Sequence, residues 1–200
     1  MRVSAGEDYL EFARGLLTEH PRSPDVPATY DLQFFDDLHE MRTLINQKEE
    51  EVGLSRMVAG YAWPWVSKGN LTDEAPYDIE LDGEKVRWNR THIDWISSAT
   101  SPVEVGCVHT TQGYDLNYAG VIIGPDIMWD EATQQVVAVR DSHFDPEVRT
   151  VRDQNELLEY IRNAYYVLLT RGMRGTYVYV CDPALRERIR TLFASQKSGS

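Results

Sequence analysis

The chain has 200 residues, of which 42% are hydrophobic and 26% charged, and a formal net charge of −12. That length holds one sizeable domain or two very small ones. The charge argues against gripping nucleic acid by bulk electrostatics, because phosphate contacts need local Lys and Arg. A narrow basic track stays open, since Arg162, Arg171, Arg174, Arg186, Arg188 and Arg190 gather late in the chain. No apolar run approaches a membrane span, and MRVSAGEDYLEF lacks the basic-then-apolar layout of a signal peptide. Cys107 and Cys181 lie far apart in apolar stretches and read as reduced thiols of a cytoplasmic protein, not as a disulfide or a zinc site.

Four helices and five strands are legible in chain order. The first helix starts at Ser4, with Glu7 at capping-box spacing, and carries Tyr9, Phe12, Ala13, Leu16 and Leu17 on one face. It stops before HPRSPDVP. A strand over Tyr30–Phe34 leads to a second helix near Asp37, with Leu38, Met41, Leu44 and Ile45 inward. Strands follow at Met57–Trp63, Val105–His109 and Ala119–Ile123. Between the first two of these, residues 67–102 read as a polar insertion or long loop with a small hairpin at Asp82–Gly83. IMWDEATQQVVAVR reads as a hairpin turning near Glu131–Thr133. The clearest helix carries Leu157, Leu158, Ile161, Ala164, Tyr165, Leu168 and Leu169, and a strand at Thr176–Val180 follows it. Asp182 and Pro183 then open a last helix. VGCVH, AGVIIG and TYVYV are near-continuous apolar runs, as in a parallel sheet covered on both faces. The expected architecture is α/β: an open, mostly parallel sheet in a single domain over residues 1–195, with a disordered, tag-derived tail at 196–200.

Two segments could carry chemistry. In VGCVHTTQGYDLNYAGVIIG, a polar turn of His109, Thr110, Thr111, Gln112 and Gly113 leaves the carboxyl end of an apolar strand, where ligands bind in open α/β sheets. Its hydroxyls and uncrowded backbone N–H groups suit a phosphate. On local pattern alone, an ordinary helix cap at Thr111 and a turn at Gly113 account for them. In NAYYVLLTRGMRGTYVYV, Thr170-Arg171 close a helix before a strand. Arg171 there either complements the helix dipole or holds a guanidinium over a nucleotide's γ-phosphate.

Together, V-H-T-T-Q-G-Y-D and Y-V-L-L-T-R, in that order and between apolar strands, resemble two motifs in the second, C-terminal RecA-like domain of superfamily-one helicases. The likeness is strong over Val105–Asp126 and Asn163–Asp182, and nearest to a bacterial family with a Schlafen-like DNA/RNA helicase domain. It implies a P-loop NTPase-type fold and an arginine finger at Arg171. It also implies nucleotide contacts from Gln112, Gly113, Asp115 and Thr170, and nucleic-acid contacts from His109, Thr110 and Thr111. The opening MRVSAG is similar to a further motif, making Arg2 a second γ-phosphate sensor and placing the start of the chain at an inter-domain boundary. Tyr114 and Leu116 depart from the commoner family residues, so the role of Asp115 is open.

The 200 residues contain no G-x-x-x-x-G-K-[ST]. The resemblance therefore implies a motor half: ATP and magnesium held mainly by an N-terminal RecA-like domain, no cofactor on this portion alone, and single-stranded DNA or RNA as partner. The rim that carries the TTQG turn is expected to carry the Arg171 guanidinium as well. A second reading is a RecA-like module that binds nucleic acid or protein without hydrolysis. A third is a metal-dependent hydrolase using Asp141, His143 and Asp145, which alternate in DSHFD. Trp65 and Lys68 in GYAWPWVSKGN could stack on unpaired bases, or the tryptophans could cover the core edge. Trp88, Trp95 and Trp129 read as packing residues.

Overall fold

The computed structural model describes residues 5–91, 93–111 and 113–194. The expectations at Arg2, Ser4, Gln112 and the tail fall outside them. Five parallel strands form the central sheet: β1 (Asp31–Phe34), β2 (Ser55–Ala59), β5 (Val105–Cys107), β6 (Leu116–Ile123) and β9 (Gly172–Val180). Their order is β1-β9-β6-β2-β5. Two antiparallel hairpins stand apart, β3 (Ile79–Leu81) with β4 (Glu84–Val86), and β7 (Ile127–Asp130) with β8 (Gln135–Ala138). Each turns through left-handed residues, Asp82-Gly83 and Gln134.

Alternate strand residues serve opposite faces, as a period of two requires. Val58, Val121, Ile123, Val178 and Val180 join a core with α1 (Gly6–Gly15), α4 (Gln154–Leu169) and α5 (Pro183–Ala194). Met57, Ala59, Ile122, Tyr177 and Tyr179 join a second core with α2 (Leu38–Val52) and with Ile79, Val86 and Trp88 of the insertion. Helices cover both faces of an open α/β sheet, so the near-continuous apolar strands are buried on both sides.

Local signals set the helix ends. Asp37 accepts from the Glu40 N–H at 3.0 Å, Asp153 from those of Asn155 and Glu156, and Asp182 from that of Leu185. α1 begins at Gly6, with Ala5 at its cap position and no side-chain cap bond.

β2 ends at Ala59, four residues short of the apolar run. The Gly60 carbonyl there accepts the Ala62 N–H at 2.7 Å, turning the chain off the sheet, and a Cβ on Gly60 would lie 2.3 Å from the Tyr165 hydroxyl, so the position excludes a side chain. The insertion is more ordered than its polarity suggests. Trp88 bridges to Val105, Trp95 packs over Gly106, and both rings are fully buried. Arg56, only 4% exposed, ties sheet to insertion through Ser101 Oγ and the Ile96 carbonyl, and pairs with Glu49 at 2.5 Å.

Candidate nucleotide and nucleic-acid interface

The helix α4 ends at the amino edge of the sheet. The Thr170 hydroxyl turns back onto the Tyr166 and Val167 carbonyls at 2.9 and 3.1 Å. Arg171 follows, half-buried. Its Nε donates to the Val167 carbonyl at 3.0 Å and its Nη1 to the Tyr114 carbonyl at 3.3 Å. Among the described residues no carboxylate reaches this guanidinium. Its own carbonyl accepts from the Leu116 N–H at 2.9 Å, so the two motifs are joined twice.

Hydroxyls buried beneath this corner hold it, and sequence pattern did not reveal them. Tyr9 donates to the Leu169 carbonyl at 2.6 Å, and Thr176 Oγ1 lies 3.2 Å from the same oxygen. Tyr30 reaches Thr176 Oγ1 at 2.8 Å and the Gly172 carbonyl at 3.1 Å. Burial pushes both phenols up, that of Tyr30 to about 12, so they stay neutral donors. Gly172 and Gly175 let β9 start in a crowded bend. A Cβ on Gly172 would meet the Gly175 carbonyl at 2.1 Å, and the β6–β9 register shifts beside it, between Leu116 and Tyr118.

The other motif travels the length of the sheet. Cys107 and Ile122 both stand opposite Ala59, so β5 ends level with the carboxyl end of β6. Strands β5 and β6 flank β2 and run parallel, so the chain must return to Leu116 at the opposite edge. It does so through α3 (Val108–Thr111) and residues 112–115. The expectation of one shared rim is therefore corrected. The Gly113–Asp115 end meets Arg171 at the amino edge, whereas His109 lies at the carboxyl edge.

Thr110 and Thr111 are buried. Both hydroxyls bond the Cys107 carbonyl at 3.0 Å, and Thr110 also reaches Asn89 Oδ1 at 3.2 Å. This suits fastening of the turn, not direct contact with a strand. Gly113 adopts φ +90, which a side chain rarely tolerates, and Asp115 immediately precedes β6.

The carboxyl edge gathers aromatic rings around Tyr61, another residue that sequence reasoning passed over. Tyr61 stacks on Trp88 at 5.8 Å and meets Trp65 and His109 edge-on at 6.2 and 6.4 Å. Lys68 Nζ sits 5.5 Å over the Trp65 ring. His109, half-exposed, bonds Asp145 Oδ2 through Nε2 at 2.8 Å. Desolvation alone would raise the Asp145 carboxyl. The hydrogen bonds from His109 and the Glu147 N–H outweigh it and hold the group below the usual carboxylate range.

Comparison with known proteins decides the family. Residues 1–182 match the Schlafen group 3, DNA/RNA helicase domain. The chain belongs to that helicase-domain family. A relative from Saccharomyces cerevisiae, "Uncharacterized protein YPL245W", is 36% identical over 176 residues, which cover 82% of this chain and 37% of the yeast protein. The chain thus spans little more than a third of that relative's length. Among solved structures, the C-terminal domain of a possible DNA helicase from Lactobacillus plantarum WCFS1 superimposes over 96% of this chain and 98% of its own. The TM-score is 0.42 and the identity 12%, a likeness too loose to carry residue roles across.

Within this helicase domain the DSHFD segment holds no shared metal shell. Asp141 is exposed, His143 bonds the buried Asp126 at 3.0 Å, and Asp145 bonds His109. Among the described residues no His, Cys, Asp and Glu cluster could hold a metal ion. Asp126 also accepts from Tyr165 at 2.6 Å, which ties the carboxyl end of β6 to α4. Trp88, Trp95 and Trp129 are all buried packing residues, and Trp63 packs against Trp88. Cys107 and Cys181 are free thiols. No helix among the described residues is long and apolar enough to cross a membrane.

Proposed function

We propose that this helicase domain is the C-terminal motor half of an ATP-dependent DNA or RNA helicase or translocase. The observation that carries the reading is the Arg171–Tyr114 contact, which joins the TRG corner to the end of the HTTQGYD turn. A guanidinium held by main-chain carbonyls, with no carboxylate partner among the described residues, keeps its charge available for a γ-phosphate. ATP and magnesium are held mainly by an N-terminal RecA-like domain, and Arg171 acts as the arginine finger. Gly113, Asp115 and Thr170 shape the nucleotide's surroundings. Arg2 and Gln112 belong to the same role and lie outside the described residues. At the opposite edge, His109, Trp65 and Lys68 face a single strand, and Thr110 and Thr111 brace the turn between the two.

In the parent protein, Arg171→Ala should lower nucleic-acid-stimulated ATP turnover on the order of a thousandfold, while circular dichroism shows the fold retained. Arg171→Lys should recover little, because a lysine lacks the planar fork. Unaltered turnover in Arg171→Ala would remove the finger assignment. A parent protein without a GKT or GKS loop would favour instead a non-hydrolytic module that binds nucleic acid or protein.

A further inference from the structure

The loop 141–149, which begins with the DSHFD segment that sequence pattern offered as a metal cluster, is docked against the aromatic group at the carboxyl edge. The Phe144 N–H donates to the Tyr61 carbonyl at 2.8 Å. Asp145 takes the His109 ring at 2.8 Å, and its own carbonyl accepts the Arg149 N–H at 2.9 Å. These bonds set Arg149 beside the platform, with its guanidinium 5.5 Å over the Phe144 ring.

Many cations of this acidic chain are neutralised by carboxylates. Arg42, Lys48, Arg56, Lys85, Arg90, Arg162 and Arg190 all have acidic partners. Arg149 and Lys68 differ: both are exposed, both lie over an aromatic ring, and neither forms an ion pair among the described residues; Arg14 over Tyr166 shares these features but sits on α1 against the last turn of α4, at the other edge. Tyr61, backed by Trp88, meets both Trp65, which carries Lys68, and the half-exposed His109, which is bonded to Asp145 on the loop of Arg149.

We propose that Arg149 contacts the phosphodiester backbone of an unpaired nucleic-acid strand. With Lys68 it brackets a stacking face of Tyr61, Trp65 and His109, on which Asp145 positions the His109 ring. This rests on the reading that the domain handles single strands, and it adds Arg149, Tyr61 and Asp145 to the residues responsible. Two cations flanking aromatic rings match a strand whose charged backbone runs beside splayed bases. Paired bases offer no free ring faces, so a duplex should bind more weakly.

The test is fluorescence anisotropy of a labelled single-stranded oligonucleotide of about 12 nucleotides, titrated with the whole chain without ATP across a range of salt. Arg149→Gln should reduce the salt slope by about 0.7, which corresponds to roughly fivefold weaker binding at 0.1 M salt. Lys85→Gln, which alters a paired cation on β4, is the control and should change neither. Asp145→Asn should weaken binding with the slope intact, and His109→Ala in that background should add little further loss. Arg149→Gln behaving like Lys85→Gln, a duplex binding as tightly as the single strand, or no binding at low salt would each overturn the proposal. Because ATP is absent, failure here leaves the Arg171 assignment standing, and failure of the finger leaves this one standing.

Discussion

The Tyr9 hydroxyl donates to the Leu169 carbonyl at 2.6 Å, joining the first helix to the last turn before Thr170-Arg171. A helix C-terminus leaves its final carbonyls without intrahelical partners. Here one of them is satisfied by a side chain 160 residues away. Tyr9→Phe should cost about 1 kcal/mol in urea denaturation, since Thr176 Oγ1 still lies within reach. Adding Thr176→Val leaves the oxygen stranded, and the double variant should lose more than the sum of the singles. Strict additivity would show that the two hydroxyls do not share this load.

The two glycines of the motifs should respond differently to alanine. At Gly172 a methyl group would sit 2.1 Å from the Gly175 carbonyl, a backbone atom that cannot swing aside. Gly172→Ala should cost about 3 kcal/mol or more and displace Arg171. Gly113 has open space around it but φ +90, so Gly113→Ala should cost only about 1–2 kcal/mol. Equal thermal midpoints for the two variants would contradict the crowded start of β9.

Arg56 presents a buried charge with several partners. Arg56→Ala takes the cation from Glu49, which keeps the Ser55 N–H, and one donor each from Ser101 Oγ and the Ile96 carbonyl, which stay bonded to each other, and should cost about 3 kcal/mol. Arg56→Met, which fills the space, should recover part of that loss. Chemical denaturation of both variants checks the ranking.

Asp145 makes folding stability depend on pH in a defined sense. Its folded pKa lies below the unfolded value of about 3.9. The unfolded state therefore binds the proton more readily. The stabilisation is complete above that value and is lost as pH falls through the folded pKa. The stability gap between the wild type and Asp145→Asn should be widest above about pH 5 and should close toward pH 3. A gap that is constant over this range would show that the carboxylate is not held by His109.

Much of the scaffold was legible because its signals are local. Asp37 and Asp182 cap their helices within three residues, and the α4 stripe and the Asp82-Gly83 turn need no distant partner. Strand ends were less legible. β2 stops where the Gly60 carbonyl accepts the Ala62 N–H and the chain turns off the sheet, and His109 stands in a helical turn whose two threonine hydroxyls bond back to Cys107. The placing of the site was harder still. Both motifs could be found from their residues, but which edge each reaches follows from β2 lying between β5 and β6, a pairing without local signature. Tyr61 escaped notice, and Tyr9 read only as part of an apolar helix face, for the same reason, since each matters through a contact far along the chain.

The passage from Cys107 back to Leu116 is folded, not stretched. The strand edge alone measures roughly 20 Å over six residues, and the eight residues between could reach about 30 Å if fully extended. The surplus is locked in the helical turn closed by the threonine hydroxyls on Cys107 and in the turn where the Thr111 carbonyl accepts the Tyr114 N–H. Like a coiled spring, the segment holds travel in reserve, and drawing it out means first opening those bonds.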